Sequence, residues 1–101
     1  MLLVSVLSAA LAVTSPLPQP AALDAAATLA SPGEARRVVL DGRSWSCDPD
    51  GACVARGAGA SQPVLRECRR FVARFGAVTR YERDGVALNA DELARCNLAA
   101  A

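Results

Sequence analysis

Apolar and polar residues alternate in three short runs in the middle of the chain, and turn residues separate these runs. Alternation with a period of two is typical of half-buried β-strands. The first two runs, residues 37–40 and 43–47, flank Asp41-Gly42, which suits a two-residue type I′ turn because both turn positions need positive φ. This register pairs Val38 with Trp45. We therefore predict a hairpin whose core face holds both of these residues.

A second turn over residues 48–52 contains Asp, Pro and Gly and returns the chain into the third run. In this register Cys47 lies opposite Cys53, within reach of a disulfide bond. Ser44 and Ser46 alternate with the core residues and belong to the opposite face. The pattern predicts a three-stranded meander that a disulfide closes at one end.

Over residues 61–75 the apolar residues no longer alternate and instead recur every three to four positions, as in an amphipathic helix. We expect Ser61 to cap this helix, Pro63 to lie in its first turn and Gly76 to end it. The predicted buried stripe consists of Val64, Cys68, Phe71, Val72 and Phe75.

A second hairpin is predicted over residues 78–88, with Asp84-Gly85 as its two-residue turn. Asn89 and Glu92, three residues apart, form a capping-box pattern. They indicate a short final helix over residues 90–98.

The element order ββ(β)-α-ββ-α predicts a small α+β domain, with both helices on one face of a two-layer arrangement. Each helix carries one cysteine in or beside its apolar stripe. The simplest pairing is therefore Cys47–Cys53 in the first sheet unit and Cys68–Cys96 between the helices. Four cysteines allow three connectivities, and the sequence leaves the other two open.

The amino-terminal part has the pattern of a signal peptide. The apolar run Leu2–Val13 is too short to cross a bilayer but fits the central region of a signal peptide, and an Ala-x-Ala sequence ends at Ala27. We expect a signal peptide over residues 1–27, with a cut anywhere between about Ser15 and Ala30 and Ala27 favoured. A disordered lead-in over residues 28–35 and one domain over residues 36–99 follow. The alternatives are an uncleaved anchor and a disordered Ala/Pro tail, since no Lys or Arg precedes the run.

Composition narrows the function classes. The eleven basic residues are all Arg, ten residues are acidic, and the net charge is +1, so nothing requires a nucleic-acid partner. The chain contains no His, which excludes Ser-His-Asp and Cys-His nucleophiles and His metal ligands within this chain. We therefore expect a protein that is not an enzyme and has no cofactor.

A zinc site is the sharpest metal alternative. Tetrahedral four-cysteine sites usually use ligand pairs separated by two to four residues. Here the only close pair, Cys47 and Cys53, has five residues between its members. We predict no metal site, and a cytosolic Cys₄ zinc-binding module remains as an alternative.

Several segments resemble a group of small exported proteins from alphaproteobacteria. The resemblance rests on Gly42–Cys47, Cys53, Glu67–Arg69 and Leu93–Asn97, and it covers residues 38–98. Because that group is uncharacterised, the resemblance implies export and disulfide bonds but no activity, cofactor or site.

The candidate interaction surface is a set of guanidinium groups outside the stripe of the first helix: Arg66, Arg69, Arg70 and Arg74. This set fits contact with an anionic envelope surface or an acidic partner. A solvated helix face in an Arg-rich chain is the alternative interpretation.

The leading function hypothesis is a periplasmic or secreted, non-enzymatic module that binds a protein or an envelope component. The alternative is a small hydrolase inhibitor or toxin-like effector that uses the disulfide-clamped loop 48–52, because a rigid loop loses less entropy on binding. The sequence leaves the partner and the oligomeric state open.

Overall fold

The computed structural model describes residues 24–59 and 61–100, and these form a six-stranded antiparallel sheet with two helices. The elements are β1 (Ala25–Leu29), β2 (Arg36–Leu40), β3 (Arg43–Cys47), β4 (Ala52–Arg56), α1 (Val64–Phe75), β5 (Val78–Arg83), β6 (Val86–Ala87) and α2 (Ala90–Asn97). The strand order across the sheet is β2-β3-β4-β1-β5-β6. The predicted α+β class is confirmed.

The strand β1 lies in the middle of the sheet, and the expected domain boundaries differ from the structure here. It pairs with β4 and β5, and Ala27 lies opposite both Cys53 and Tyr81. The sheet thus includes residues ahead of residue 36, and Thr28 belongs to a strand and not to a disordered lead-in. Alanine has low strand propensity, so the residues of β1 do not themselves favour a strand. Pairing with the two neighbouring strands specifies its conformation. The predicted signal peptide upstream of Asp24 lies outside the described residues.

Both predicted hairpins form. Asp41 and Asp84, the first residues of the two Asp-Gly turns, have φ values of 51° and 53°, as a type I′ turn requires. Val38 lies opposite Trp45 and Cys47 opposite Cys53, so the register of the first hairpin and of its third strand is confirmed. The third strand joins a single large sheet and not a separate meander.

The helices form close to the expected positions. α1 begins at Val64, and its N-cap residue is Pro63, which makes no side-chain hydrogen bond. The prediction that Ser61 caps this helix is therefore wrong. Proline at the N-cap already fixes the backbone entering the helix. The predicted capping box of Asn89 and Glu92 at the start of α2 is confirmed.

The core lies between the helices and one sheet face. The Trp45 ring stands 4.4 Å from Phe71 and 6.0 Å from Tyr81, measured between ring centroids. Disulfide bonds join Cys47 to Cys53 and Cys68 to Cys96, so the simplest predicted pairing is confirmed. The second bond fixes the two helices to each other, which holds both on the same face of the sheet.

None of the helices in residues 24–59 and 61–100 combines the length and apolar character needed to cross a bilayer.

Candidate interaction surfaces

A buried ionic cluster fixes α1 on the sheet. Arg43 Nε donates a 2.6 Å hydrogen bond to Glu67 Oε1, and Arg83 Nη1 donates one of 3.1 Å to Glu67 Oε2. Arg43 and Glu67 are each only 5% exposed. The carboxylate of α1 is thus held by guanidinium groups from β3 and β5.

The same cluster organises the segment between β4 and α1. Arg43 Nη1 donates a 2.7 Å hydrogen bond to the Gly57 carbonyl, and Arg83 Nη1 donates to the Gln62 carbonyl. Gly59 packs closely on the Arg43 guanidinium, and a Cβ at position 59 would lie 2.8 Å from Arg43 Nε. Glycine at position 59 is therefore required by the buried arginine.

Tyr81 lies beside the cluster with its hydroxyl buried and without a hydrogen-bond partner among the described residues. Burial raises the pKa of Tyr81 far above its usual range, and the Glu67 carboxylate raises this pKa further. The phenol stays neutral at physiological pH. Because the groups at the centre of the cluster are closed off from solvent, we assign the cluster a structural role.

Sequence reasoning missed this cluster, although a signal was present. Arg43, Trp45 and Cys47 are alternate residues of one strand, so their side chains lie on the same face. The predicted core face therefore contained an arginine. A guanidinium in a core needs a carboxylate partner. The helical pattern placed Glu67 outside the predicted stripe, but the structure buries it and makes it this partner.

The predicted arginine surface is divided in the structure. Arg66, Arg69 and Arg74 are exposed on α1. Arg70 Nε instead donates a 2.6 Å hydrogen bond to Asp41 Oδ2 in the first hairpin turn, and this bond holds the pKa of the Asp41 carboxyl below its usual range. Since Arg70 links α1 to the turn, it is only partly available to a partner.

The sheet face opposite the helices is uncovered in the described part of the chain. The registers align Val39, Ser44 and Arg56 in one row across β2, β3 and β4, and Arg37, Ser46 and Val54 in the next. We call these six residues the open-face array. They line a shallow cavity of about 570 Å³.

The open-face array has an unusual diagonal symmetry. Its serines lie in the centre, its valines at two opposite corners, and Arg37 and Arg56 at the other two. The two arginines stand on strands separated by two strand spacings, about 10 Å. Neither has a carboxylate partner in the described residues. Val39 is 75% exposed, so the surface offers apolar contact between two unpaired positive charges.

The loop over residues 48–52 is a rigid turn. Gly51 N donates to the Asp48 carbonyl at 2.9 Å, and the Cys47–Cys53 disulfide closes the base of the turn. The exposed tip consists of Asp48, Pro49 and Asp50. A stable interface uses roughly 20–30 residues on each side, so this tip supplies at most part of one.

The cysteines form no zinc site. All four are paired in the two disulfides, and the described residues contain no free cysteine. The thiolate is the form of cysteine that binds zinc, and a sulfur in a disulfide is neutral and is no longer a thiolate. The structure therefore contradicts the alternative of a Cys₄ zinc-binding module.

Comparison with protein-family models places most of the chain in a family. The model described as Family of unknown function (DUF8200) matches residues 6–98. No curated protein and no solved structure matches the chain.

Proposed function

The chain belongs to the Family of unknown function (DUF8200), and we propose from its structure that it is an exported, non-enzymatic module. In this proposal it binds a protein or an envelope component through the uncovered face of its sheet.

The observation that carries the proposal is the open-face array. A two-layer domain that serves only its own stability needs no exposed valines between unpaired arginines on its second face. Single exposed apolar residues are ordinary. Here, however, Val39 and Val54 share a shallow cavity with Arg37 and Arg56. Arginine is enriched at protein interfaces relative to the rest of the surface.

Export is supported by the two disulfides, because such bonds persist in oxidising compartments such as the periplasm. The position of β1 refines where the leader would be removed. Asp24 accepts a 2.6 Å hydrogen bond from Gly57 N, and its carbonyl accepts one from Asp84 N at 3.1 Å. Cleavage after Ala27 would remove these contacts and three of the five residues of a central strand. We therefore propose cleavage between Ser15 and Leu23.

A non-enzymatic role is supported by what the acidic and basic side chains already do. Glu67 is neutralised by two guanidinium groups, Asp41 binds Arg70, and Glu92 caps α2. Each of these groups has a structural task. The sequence provides no histidine to act as a general base near neutral pH.

Site-specific crosslinking in cells tests the binding role. A photoreactive benzoylphenylalanine at Val54, on the open face, is expected to give a discrete adduct with a partner. The same group at Ala94, exposed on α2, serves as the matched control on the helical side and should give none. The double variant R37E/R56E should abolish the Val54 adduct, because it reverses the charge of the array. Equal adducts from Val54 and Ala94, or an adduct that survives R37E/R56E, would contradict the proposal.

A further inference from the structure

We propose that β2 is a docking strand, and that its occupant is an extended acidic segment of another protein, which adds to the sheet as a seventh strand. This inference rests on the proposed binding function and specifies the partner's class. Its test is arranged so that the two can fail separately.

The backbone of β2 presents unpaired hydrogen-bonding groups. β2 lies at the edge of the sheet and pairs only with β3 in the described part of the chain. A two-residue turn is closed by a hydrogen-bonded pair, here Leu40 with Arg43, and the bonding alternates along an antiparallel ladder. Val38 therefore bonds inward to β3, while Arg37 and Val39 direct N–H and C=O away from the sheet. An incoming strand can bond to these groups.

A groove beside this edge can take side chains from the added strand. Leu40 on β2 and Ala73 on α1, together with Arg70 and Arg74, line a cavity of about 270 Å³. Alternate side chains of an added strand point to opposite faces of the sheet. One set would therefore enter this groove, and the other would lie beside Val39 on the open face.

The charge around the edge selects an acidic occupant. Arg37 and Arg74 are exposed and have no carboxylate partner among the described residues. Arg36 stacks on the Phe75 ring at 4.4 Å, which keeps its guanidinium at the edge. Asp41, the acid at the turn end of β2, is already bound by Arg70. Glu34, which precedes β2, and Asp48, which lines a cavity with Arg36 and Arg37, offset part of this charge near Arg36, so the positive side chains dominate beside Val39 and Arg74.

The same charge disfavours a second copy of this chain. In antiparallel pairing of two β2 strands about Val38, each Arg37 lies opposite the other copy's Val39, and the seam gathers Arg36, Arg37 and Arg74 of both copies. Like charges close together destabilise a pairing. The chain's own residues 16–20 are also poorly suited, because three of these five are proline, which cannot donate to a ladder.

The test uses purified oxidised domain and a capped seven-residue peptide in which Glu and Val alternate. Binding is followed by NMR, and amide exchange is compared with and without peptide. We expect saturable shifts and slowed exchange at the Arg37 and Val39 amides. The Val38 and Leu40 amides, already bonded to β3, serve as internal controls and should change little. A Lys-Val peptide of equal length should bind at least about 10-fold more weakly.

Backbone and side-chain effects are separated by variants at one position. Val39→Pro removes an outward N–H that the fold does not use, as edge strands tolerate, and should weaken peptide binding about 10-fold or more. Val39→Ala keeps the N–H and should weaken it by less than about 5-fold, since only part of one side chain is lost. If Val39→Pro disturbs the fold, a peptide N-methylated on alternate residues replaces it as the test. The N-methyl groups remove the peptide's own N–H donors and should weaken binding to the unchanged domain in the same way.

Three outcomes would overturn the strand addition. If the Glu-Val peptide shifts Ser44 and Val54 but leaves exchange at Arg37 and Val39 unchanged, the partner binds the open face and only the proposed function stands. If the Arg37 and Val39 amides are protected without peptide and sedimentation shows dimers, the occupant is a second copy. If neither the peptide nor its N-methylated form binds, strand addition of an acidic segment is wrong, and crosslinking at Val54 decides the proposed function independently.

Discussion

Replacing Glu67 with glutamine is expected to destabilise the domain by about 3–5 kcal/mol, because it leaves two guanidinium groups without their common carboxylate. The shape of the side chain is retained, so the loss reports charge and not volume. Domains of this size have a total unfolding free energy of about 5–15 kcal/mol. The variant should therefore approach the limit of folding. Urea denaturation of the oxidised protein measures the change.

The matched control is Glu82→Gln. Glu82 binds Arg80 at 2.8 Å on the surface, where the Arg80 side chain is 63% exposed. An ion pair between solvent-exposed side chains contributes about 0–1 kcal/mol, so this variant should lose little. Equal losses for Glu67→Gln and Glu82→Gln would mean that the buried cluster does not hold α1 on the sheet.

Removing the disulfide between the helices should cost more than removing the one in the sheet. The Cys68–Cys96 bond spans 28 positions of sequence and the Cys47–Cys53 bond only 6. Loop-closure entropy then gives about 3.6 kcal/mol for the first and about 2.4 kcal/mol for the second. The double variants C68A/C96A and C47A/C53A, compared by urea denaturation, provide the measurement. C68A/C96A should also lose more unfolding free energy because Cys68 and Cys96 are both fully buried.

A smaller loss for C68A/C96A than for C47A/C53A would contradict this ordering. It would mean that the packing of Phe71 and Trp45, 4.4 Å apart, holds α1 in place without help from α2. In that case the helices would be independent additions to the sheet and not a linked layer.

The hairpins could be predicted because their information is local. Asp41-Gly42 and Asp84-Gly85 select the turn type by backbone conformation alone, and the turn fixes the register of the residues around it. Once that register was set, the face of Trp45 and the proximity of Cys47 to Cys53 followed from strand geometry. The capping box at Asn89 is likewise encoded within four residues.

The strand β1 could not be predicted because its information is not local. Ala25, Ala26 and Ala27 form an Ala-x-Ala sequence as well as a strand, and the signal-peptide interpretation took precedence. The strand conformation is specified by pairing with β4 and β5, which lie far along the chain.

The candidate surface was predicted in part. Helical periodicity placed Arg66, Arg69 and Arg74 outside the buried stripe, and these residues are exposed. That Arg70 binds Asp41 depends on how α1 crosses the first hairpin, which no local pattern encodes. Strand alternation indicated the face that carries Ser44, but not that residues 24–59 and 61–100 leave this face uncovered.

The central claim is that this chain is an exported domain whose sheet includes β1 and whose two disulfides are formed. The intact mass of the protein recovered from cells, alkylated with and without prior reduction, tests it most directly. We predict a mass that lacks the leader but retains Asp24 and the residues after it, with four thiols that react only after reduction. A full-length mass with four free thiols, or a mass that begins at Thr28, would contradict the account.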